Sequence, residues 1–369
     1  MRTNTKKLET YKNIPIFRLS RIIRKSFLKK SPKCLIYGNF GAMNYGDEAI
    51  LEGQLLDLKK IKGIKTTVVG RFKNELKKRH KGISALSIFD LFDIIKALIR
   101  ADFIVIGGGG LISKNDNGLV SLIYQFYCLT LFMLIPNIIK KPVYVWGYGI
   151  YKNSNKVIIS YAISLLKKVK LVSVRDLHSF KLLKFHRIEA IYCKDNSYLM
   201  QVSPRNDIAK HKLFKKIYNK TNQNIGLTLK RPENKREEKE LTEAVISLVQ
   251  RHKKTDFWFY ALDYQSNYNN DKNFAEEIIK VINEKINHNR VHLVSEILNS
   301  KEIFSSFKLM NGIIAMRLHS LIFAHRQNIK FLAVSYDEKC ESFLKSINHE
   351  YIEVKSINCN LFSKFLKSI

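Results

Sequence analysis

The sequence has few cysteines. Its 369 residues include five, at positions 34, 128, 193, 340 and 359, and no two of them form a C-x-x-C pair. An odd, scattered set argues against a disulfide framework and against a zinc site, and it is typical of a protein in a reducing compartment. We therefore expect a cytoplasmic protein without an obligatory metal.

Targeting and nucleotide-binding signals are also lacking. The N-terminus has no apolar core followed by a small-residue cleavage site, so no secretory signal is predicted. No P-loop is present. The apolar run from Leu119 to Pro136 contains Ser121, Gln125 and Thr130, and it falls short of the roughly 20 apolar residues of a membrane span. We expect it to be a buried helix between two strands of one sheet.

Acidic residues are scarce: 64 Lys and Arg stand against 32 Asp and Glu, a formal net charge of +32. Such an excess favours anionic partners, which are nucleic acids, anionic membrane surfaces or negatively charged substrates. The lysines are spread along the chain, and no nucleic-acid-binding module is found. We therefore expect no nucleic-acid partner, and a Lys-rich proteome is the simpler explanation for part of the excess.

One basic segment has a regular pattern, between Ile16 and Lys33. Apolar residues recur there at helical spacing, namely Ile16, Leu19, Ile23 and Phe27. Basic residues occupy the other side, namely Arg18, Arg21, Lys25 and Lys29. The pattern indicates a helix on an anionic membrane surface or a helix whose apolar stripe covers the first domain, and both can hold because long basic side chains extend over apolar surface. The first interpretation predicts a peripheral protein at the inner face of the plasma membrane.

Strand candidates alternate with helix-length segments along the chain. The first series is Cys34–Tyr37, Thr66–Val69, Phe103–Ile106, Val143–Trp146, Leu171–Val174 and Ala190–Tyr192. The second is Ile225–Leu229, Phe257–Ala261, Val291–Val294, Ile313–Met316, Phe331–Val334 and Tyr351–Val354. This alternation predicts two doubly wound, Rossmann-like α/β domains that face a cleft. The predicted divisions are a basic segment 1–33, a first domain 34–205, a linker 206–224 and a second domain 225–369.

Three segments place chemically useful residues directly after strand candidates. Cys34–Leu51 is predicted to be a strand, a glycine loop and a helix, and Phe103–Ile112 ends a strand in four glycines. In Gly312–Ala324, a strand is followed by Arg317 and His319. Ligands of open α/β sheets bind beyond the carboxyl ends of the strands. Arginine binds carboxylate or phosphate, and histidine transfers protons near neutral pH.

These segments, in this order, resemble the polysaccharide pyruvyl transferase family. Ser173–Ser179 and Phe331–Asp337 extend the resemblance, which covers about Lys33 to Leu344. Members of the family are understood to move an enolpyruvyl unit from phosphoenolpyruvate to a sugar, where it closes a pyruvate ketal. The resemblance implies the GT-B architecture of two-domain glycosyltransferases. It also implies phosphoenolpyruvate as donor, a glycan or lipid-linked saccharide as acceptor, and no further cofactor.

The donor is expected in the second domain. His319 is our candidate for the general acid that protonates the methylene group of phosphoenolpyruvate. Arg317 is expected to hold phosphate or carboxylate in bidentate fashion. A second cation is either Lys230 or Arg231, and we favour Arg231 because family members tend to carry arginine at this strand end. Tyr336 is expected to border the same site.

The acceptor is expected in the first domain. Asp47 and Glu48 are the candidates for the base, although carboxylates also suit a helix N-terminus and one of the two is expected to be structural. The candidate acceptor-binding residues are Asn39, Gly41, Asn44, Gly46, Gly108, Gly109, Arg175 and Asp176. A helix cap is the alternative for Asp176, and tight strand–helix packing is the alternative for Gly108 and Gly109. Asp195 resembles a family aspartate that follows the next strand.

Two other functions stay open. A GT-B-type glycosyltransferase would use a nucleotide sugar, and Glu296 is its candidate for a ribose contact. A non-enzymatic membrane-surface protein would depend on the basic N-terminal helix. The Arg-Leu-His motif favours pyruvyl transfer over both.

Overall fold

The computed structural model describes residues 13–26, 30–112, 118–210, 212–218, 222–264, 270–286, 289–294 and 298–369. Phe27, Lys29 and Glu296 therefore lie outside the described residues. The chain divides into two compact units. Unit 1 comprises Met1–Met43 and Asp47–Gln201, and unit 2 comprises Asn44–Gly46 and Val202–Ile369. Each unit has its own parallel sheet, so the predicted fold class, two Rossmann-like α/β domains, is confirmed.

The sheet of unit 1 is parallel and has the strand order β3-β2-β1-β4-β6-β7-β8, with β5 beside β6. Its strands are β1 Lys33–Tyr37, β2 Lys65–Gly70, β3 Ser84–Ser87, β4 Phe103–Ile106, β5 Gly109–Ile112, β6 Val143–Ile150, β7 Leu171–Val174 and β8 Ile191–Tyr192. The order reverses between β1 and β4. We did not predict β3, which is polar, or β5, whose two glycines suggested a loop.

Helices cover both faces of this sheet. They are α1 Leu19–Ser26, α2 Tyr45–Leu58, α3 Lys73–Arg79, α4 Leu91–Arg100, α5 Leu119–Leu129, α6 Ile135–Ile138, α7 Lys156–Leu166 and α8 Leu177–Phe185. On one face α4, α5 and α7 pack on the sheet, and on the other face α1 and α2 do so. A strand that is covered by helices on both faces needs a nearly continuous run of apolar residues. Most of the strand candidates named in the sequence analysis are runs of this kind.

The apolar stripe of α1 lies against unit 1. Leu19 and Ile23 are fully buried, and the Ser20 amide donates to Oδ2 of Asp57 at 3.0 Å. Ile16 precedes the helix and is 39% exposed. Of the two interpretations of this segment, the structure therefore supports the covering helix. Insertion of Leu19 and Ile23 into a membrane is contradicted because these side chains belong to the core, whereas a membrane contact through the basic side chains of this segment stays a prediction.

The segment Leu119–Ile138 is long and apolar enough to cross a membrane by length and composition, and 39% of its 18-residue apolar window is buried inside the protein. It connects β5 to β6 of one sheet, and a five-residue π-helix, Thr130–Leu134, joins α5 to α6. Cys128, Leu131 and Phe132 lie in the core of unit 1. A core helix of this kind passes the same test of length and composition. The segment is therefore helical and its inner face is buried, as predicted, whereas its first turn is exposed.

Unit 2 contains a second parallel sheet, ordered β11-β10-β9-β12-β13-β14. Its strands are β9 Gln223–Thr228, β10 Thr255–Tyr260, β11 Val291–Val294, β12 Gly312–Ala315, β13 Phe331–Ser335 and β14 Tyr351–Glu353. Its helices are α9 Arg205–Ala209, α10 Lys212–Tyr218, α11 Lys235–Arg251, α12 Asp271–Lys285, α13 Ser300–Ser306, α14 Leu318–Arg326, α15 Glu338–Ser346 and α16 Cys359–Lys367. The strand order reverses between β9 and β12, and α9 and α10 lie in the segment that we predicted to be a linker.

Candidate active site

His319 lies in the first turn of α14, beyond the carboxyl end of β12. Since the strand order reverses between β9 and β12, this is the topological switch point at which such sheets bind ligands. Thr228 at the end of β9 donates its hydroxyl to Oγ of Ser320 at 2.7 Å. Ser320 in turn donates to the carbonyl of Arg317 at 2.6 Å. These bonds hold the start of α14 against the end of β9.

The short segment Asn44–Gly46 belongs to unit 2 although it follows the first strand of unit 1. The amide of Tyr45 donates to the carbonyl of Leu262 at 2.9 Å, and Ser300 donates its hydroxyl to the carbonyl of Tyr45 at 3.0 Å. Asn44 forms an isolated antiparallel bridge with Asp263. The backbone of this segment is therefore held at fixed positions within unit 2.

Gly46 lies directly against the imidazole of His319. A Cβ atom at Gly46 would overlap Nδ1, Cγ and Cε1 of that ring, so a larger residue here requires the ring or the backbone to shift. The amide of Gly46 donates to Oδ1 of Asn44 at 2.9 Å, which gives Asn44 a structural role in the turn. Two separate sequence motifs, the glycine loop and the Arg-Leu-His segment, thus meet at His319.

Arg317 does not offer its guanidinium group to the solvent. Its Nε donates to Oδ2 of Asp271 at 3.1 Å and its Nη2 to Oδ1 of the same residue. Its Nη1 lies 3.2 Å from Oδ2 of Asp263. The bidentate partner that we expected from the donor is therefore supplied by Asp271. This corrects the expected role of Arg317, because a buried guanidinium between two carboxylates has no excess positive charge for an anion.

Asp271, which our sequence analysis missed, is the first residue of α12 and is buried. Burial raises the pKa of its carboxyl group, while the Arg317 guanidinium opposes that rise. The amides of Leu262 and Asp263 also donate to Oδ2 of Asp271, both at 3.1 Å. Asp271 thus ties the loop after β10 to the start of α14. No sequence signal reveals this pairing, because it depends on two elements 46 residues apart.

The two candidates for a second cation are in different environments. Arg231 pairs with Glu238 and Glu277 at 2.5 and 2.6 Å, beside the ring of Phe274. Lys230 directs its Nζ over the ring of Tyr336, 4.2 Å from the centroid. The Arg231 charge is therefore neutralised by α11 and α12, and the structure does not support our preference for it. Lys230, at the end of β9 and next to the switch point, is the better candidate.

In unit 1, several predicted residues meet beyond the carboxyl ends of the strands. Asn39 donates its side-chain amide to Oδ2 of Asp47 at 2.9 Å. A Cβ at Gly109, whose φ is +105°, would lie 3.3 Å from Oδ1 of Asp47. Asp47 also contributes to the electrostatic environment of Arg175, after Asp195 and Asp176. Asp47, Asn39, Gly109 and Arg175 therefore form one cluster at this edge of the sheet.

Arg175 and Asp176 are held by their own neighbours. Nη1 of Arg175 donates to Oδ2 of Asp195 at 2.6 Å, with both side chains nearly buried. Asp176 caps α8, because it accepts the amide of Ser179 at 2.7 Å and its hydroxyl at 2.8 Å. The alternative of a helix cap for Asp176 is thus confirmed. Burial raises the pKa of Asp176, and its bonds to Ser179 oppose that rise.

Glu48 is the carboxylate with structural contacts. It is buried, its Oε1 accepts the amide of Gly41 at 2.6 Å, and its Oε2 lies 2.7 Å from Nε2 of His80. Nδ1 of His80 lies 3.2 Å from Oε2 of Glu52. Burial lowers the pKa of His80, but the hydrogen bonds to Glu48 and Glu52 outweigh it and raise the pKa to about 9. Since Glu48 is engaged in this way, Asp47 is the remaining candidate for the base.

Two of the predicted glycines are required for packing rather than for a ligand. Gly41 has a φ of +68°, and a Cβ there would meet Leu76 and the backbone of Phe72. A Cβ at Gly108 would lie 3.0 Å from the carbonyl of Gly147 and 3.2 Å from Nδ2 of Asn196. A Cβ at Gly108 would also lie 3.2 Å from Cγ2 of Ile50 on α2, which agrees with the strand–helix packing that we named as the alternative for Gly108. Within the described ranges, no group of three His, Cys, Asp or Glu residues has an arrangement suited to a metal ion.

The fold is similar to several solved structures. The UDP-GlcNAc 2-epimerase from Methanocaldococcus jannaschii aligns with 91% of this chain and 92% of its own, at 13% identity and a TM-score of 0.61. MnaA of S. aureus, solved with UDP, aligns with 91% and 87% at 10% identity and a TM-score of 0.60. A glycosyltransferase from Rickettsia africae aligns with 92% and 89% at 11% identity and a TM-score of 0.55. At these identities the likeness defines the fold alone, that of GT-B glycosyltransferases and related epimerases.

The family is shown by the sequence. Residues 44–338 match the family described as polysaccharide pyruvyl transferase, which covers most of the chain. The protein therefore belongs to the polysaccharide pyruvyl transferase family, a family of transferases. A search of curated proteins finds no match. The matched range contains both Gly46 and His319, which meet in unit 2.

Proposed function

We propose that this protein transfers an enolpyruvyl unit from phosphoenolpyruvate to a sugar of a cell-surface polysaccharide or of its lipid-linked precursor, forms a pyruvate ketal and releases phosphate. The observation that carries the proposal is the contact of Gly46 with His319 at the switch point of the second sheet. It joins two motifs of the family at one proton-transferring side chain. Membership of the family supports the substrate class.

The donor is the first requirement. Phosphoenolpyruvate carries a phosphate and a carboxylate, so its binding residues must supply positive charge and N–H donors. In unit 2 these are Lys230, at the end of β9, and the first backbone amides of α14, where the helix dipole favours an anion. Arg317 acts through Asp271 and the start of α14 instead of through the donor. No further cofactor is part of the proposal.

The chemistry begins with proton transfer. The His319 imidazolium protonates the methylene carbon, which becomes a methyl group, and carbon 2 becomes an oxocarbenium-like electrophile. One sugar hydroxyl attacks this carbon, and the phosphate leaves. A second hydroxyl then attacks the same carbon and closes the ketal. Of the two protons that the hydroxyls lose, one balances the proton given by His319 and the other leaves with phosphate.

The base is the second requirement, and we propose Asp47 for it. Asp47 accepts a hydrogen bond from Asn39 and is half-buried, whereas both oxygens of Glu48 are engaged by Gly41 and His80. The positive charge of Arg175 lies close enough to Asp47 for the two groups to interact electrostatically. Asp47→Asn should therefore remove the base while it preserves the bond to Asn39 through the amide oxygen.

The test follows product release with purified protein and a lipid-linked or water-soluble saccharide acceptor. Wild-type protein should release phosphate from phosphoenolpyruvate only when acceptor is present, and mass spectrometry should find the acceptor heavier by one pyruvate ketal. His319→Ala should lower turnover by roughly 10²–10⁴-fold. His325→Ala, in the last turn of the same helix, is the matched control and should retain turnover. Release of nucleotide from a nucleotide sugar, without phosphate release, would establish the glycosyltransferase alternative instead.

A further inference from the structure

Unit 1 exposes large apolar side chains on α4, on the turn before it and at the start of α5. Six of these residues are more than half exposed, and we call them the α4–α5 apolar surface: Phe89, Phe92, Ile99, Leu119, Val120 and Ile123. Single exposed apolar residues are common on proteins, but a group on two neighbouring elements marks an interaction site. None of the six belongs to the candidate active site.

The two helices pack on the same face of the sheet. Ile94 and Leu98 of α4 share a core cluster with Cys128 and Leu129 of α5. The hydroxyl of Tyr127 on α5 donates to the carbonyl of Ile88, just before α4, at 2.9 Å. Helix α4 therefore carries exposed apolar residues, Phe92 and Ile99, outside the face that packs on the sheet. Exposed apolar residues grouped in this way favour a covering partner.

The charges around this surface indicate what the partner is. Residues of unit 1 include 36 Lys and Arg against 13 Asp and Glu, a net charge of +23, whereas unit 2 has 28 against 19, a net charge of +9. Three charged residues are exposed on α4 beside the apolar residues, namely the basic Lys96 and Arg100 and the acidic Asp93, and Nζ of Lys96 lies 4.0 Å from the ring centroid of Phe92. Residues 118–141, which contain α5 and α6, include no acidic residue.

We propose that the α4–α5 apolar surface inserts into an anionic lipid bilayer, with Lys96 and Arg100 at the level of the phosphate groups. Apolar residues that enter the interface next to basic residues are the pattern of a peripheral membrane contact. A second copy of this chain would bring two units of high positive charge together, which disfavours that occupant. The N-terminal helix is not needed for this contact, because its apolar stripe is buried in unit 1.

Flotation of the full-length protein with vesicles tests the proposal without donor or acceptor, so its outcome is independent of the proposed activity. The wild type should float with phosphatidylglycerol-containing vesicles and much less with phosphatidylcholine alone. Phe92→Ser combined with Val120→Ser should weaken partitioning at least roughly tenfold, because two large apolar side chains no longer enter the bilayer. Both side chains are exposed, so the variant should fold, and its thermal unfolding is recorded as a check.

Phe185→Ser is the matched control, since Phe185 is 81% exposed on α8 of the same unit. It should float like the wild type. Equal flotation of the wild type and the Phe92→Ser, Val120→Ser variant would overturn the proposal. A second copy of the chain would be the partner instead if light scattering found the wild type as a dimer and the double variant as a monomer, and if neither protein bound vesicles. That result would overturn the proposal.

Discussion

At the residue scale, the absence of a side chain at Gly46 leaves the space that the imidazole of His319 occupies. Since a Cβ at Gly46 would overlap the imidazole, any side chain there must displace either the ring or the helix α2 that begins at Tyr45. The position of His319 relative to a donor therefore depends on a residue that itself has no functional group.

We predict that Gly46→Ala lowers turnover by roughly 10²-fold, because even about 1 Å of displacement misplaces a proton donor. Gly118→Ala is the control, since a Cβ at Gly118 would meet nothing within 4 Å, and it should leave turnover unchanged. Steady-state phosphate release measures both variants. Normal turnover of Gly46→Ala would show that His319 can move without loss of function and would weaken its assignment as the acid.

Arg317 is the residue whose role the structure changes most. Its removal leaves Asp271 buried and without its ion-pair partner, and breaking such a pair costs about 3–5 kcal/mol. We predict this loss of unfolding free energy for Arg317→Ala in urea denaturation. Arg317→Ala combined with Asp271→Asn should recover part of it, because a neutral amide is less costly to bury.

The same variants separate the two possible roles of Arg317. If Arg317 bound the donor directly, Arg317→Ala would weaken phosphoenolpyruvate binding while stability stayed normal, which contradicts the structural role. Lys230→Ala is the complementary variant. It should raise the KM for phosphoenolpyruvate with little change in unfolding free energy, because Lys230 lies at the end of β9 over the ring of Tyr336.

At the scale of elements, a buried histidine connects the glycine loop, α2 and the end of α3. His80 follows α3, and its two ring nitrogens contact Glu48 and Glu52 of α2, while Glu48 also accepts the amide of Gly41. The protonated imidazole donates from both nitrogens, which is why these bonds raise its pKa to about 9. The positive charge of the His80 imidazolium thus stabilises the loop between β1 and α2, because it holds Glu48, which accepts a hydrogen bond from that loop at Gly41.

This network predicts a pH dependence of stability. Because the pKa of His80 is higher in the folded state than the 6.5 of a free imidazole, its contribution is complete below about pH 6.5 and is lost as the pH rises through about 9. The full effect is about 3 kcal/mol. Urea denaturation of the wild type and of His80→Gln between pH 6 and 9.5 measures the difference. That difference should shrink toward high pH, and parallel curves would contradict the network.

At the scale of the whole molecule, the positive charge is concentrated in unit 1. Lys96 and Arg100, which lie next to the α4–α5 apolar surface, are only two of the 36 Lys and Arg residues of that unit. The attraction to an anionic surface is therefore a sum over many residues, each contributing about 1 kcal/mol when it comes near the lipid.

We predict that vesicle binding of the wild type falls steeply between 0.1 and 0.5 M salt, because charges are screened beyond about 10 Å at 0.1 M. The double variant Lys96→Gln, Arg100→Gln should lose less vesicle binding than the wild type loses over this rise in salt concentration, because it removes only two of the basic residues of unit 1. Arg236→Gln with Lys239→Gln, on α11 of unit 2, is the control and should have no effect. Complete loss of binding in the Lys96, Arg100 variant would mean that the charge acts locally and not as a sum.

The sequence by itself determined most of the strands and the position of the chemistry along the chain. Continuous apolar runs such as Phe103–Ile106 and Val143–Trp146 coincide with strands because a parallel sheet is buried on both faces. Residues directly after such runs, Arg317 and His319 among them, then lie at the carboxyl edge of the sheet. Short strands without that pattern, β3 and β5, escaped prediction for the same reason.

Only the tertiary structure decided which partner each of these residues has. Arg317 pairs with Asp271, Glu48 with His80, and Gly46 packs on His319. It also decided that Leu19 and Ile23 face the core while Phe92 and Val120 do not. The physical reason is that an ion pair or a packing contact depends on the distance between elements that are far apart in the chain. The local sequence pattern indicates only which residues are apolar and which are polar on each helix or strand.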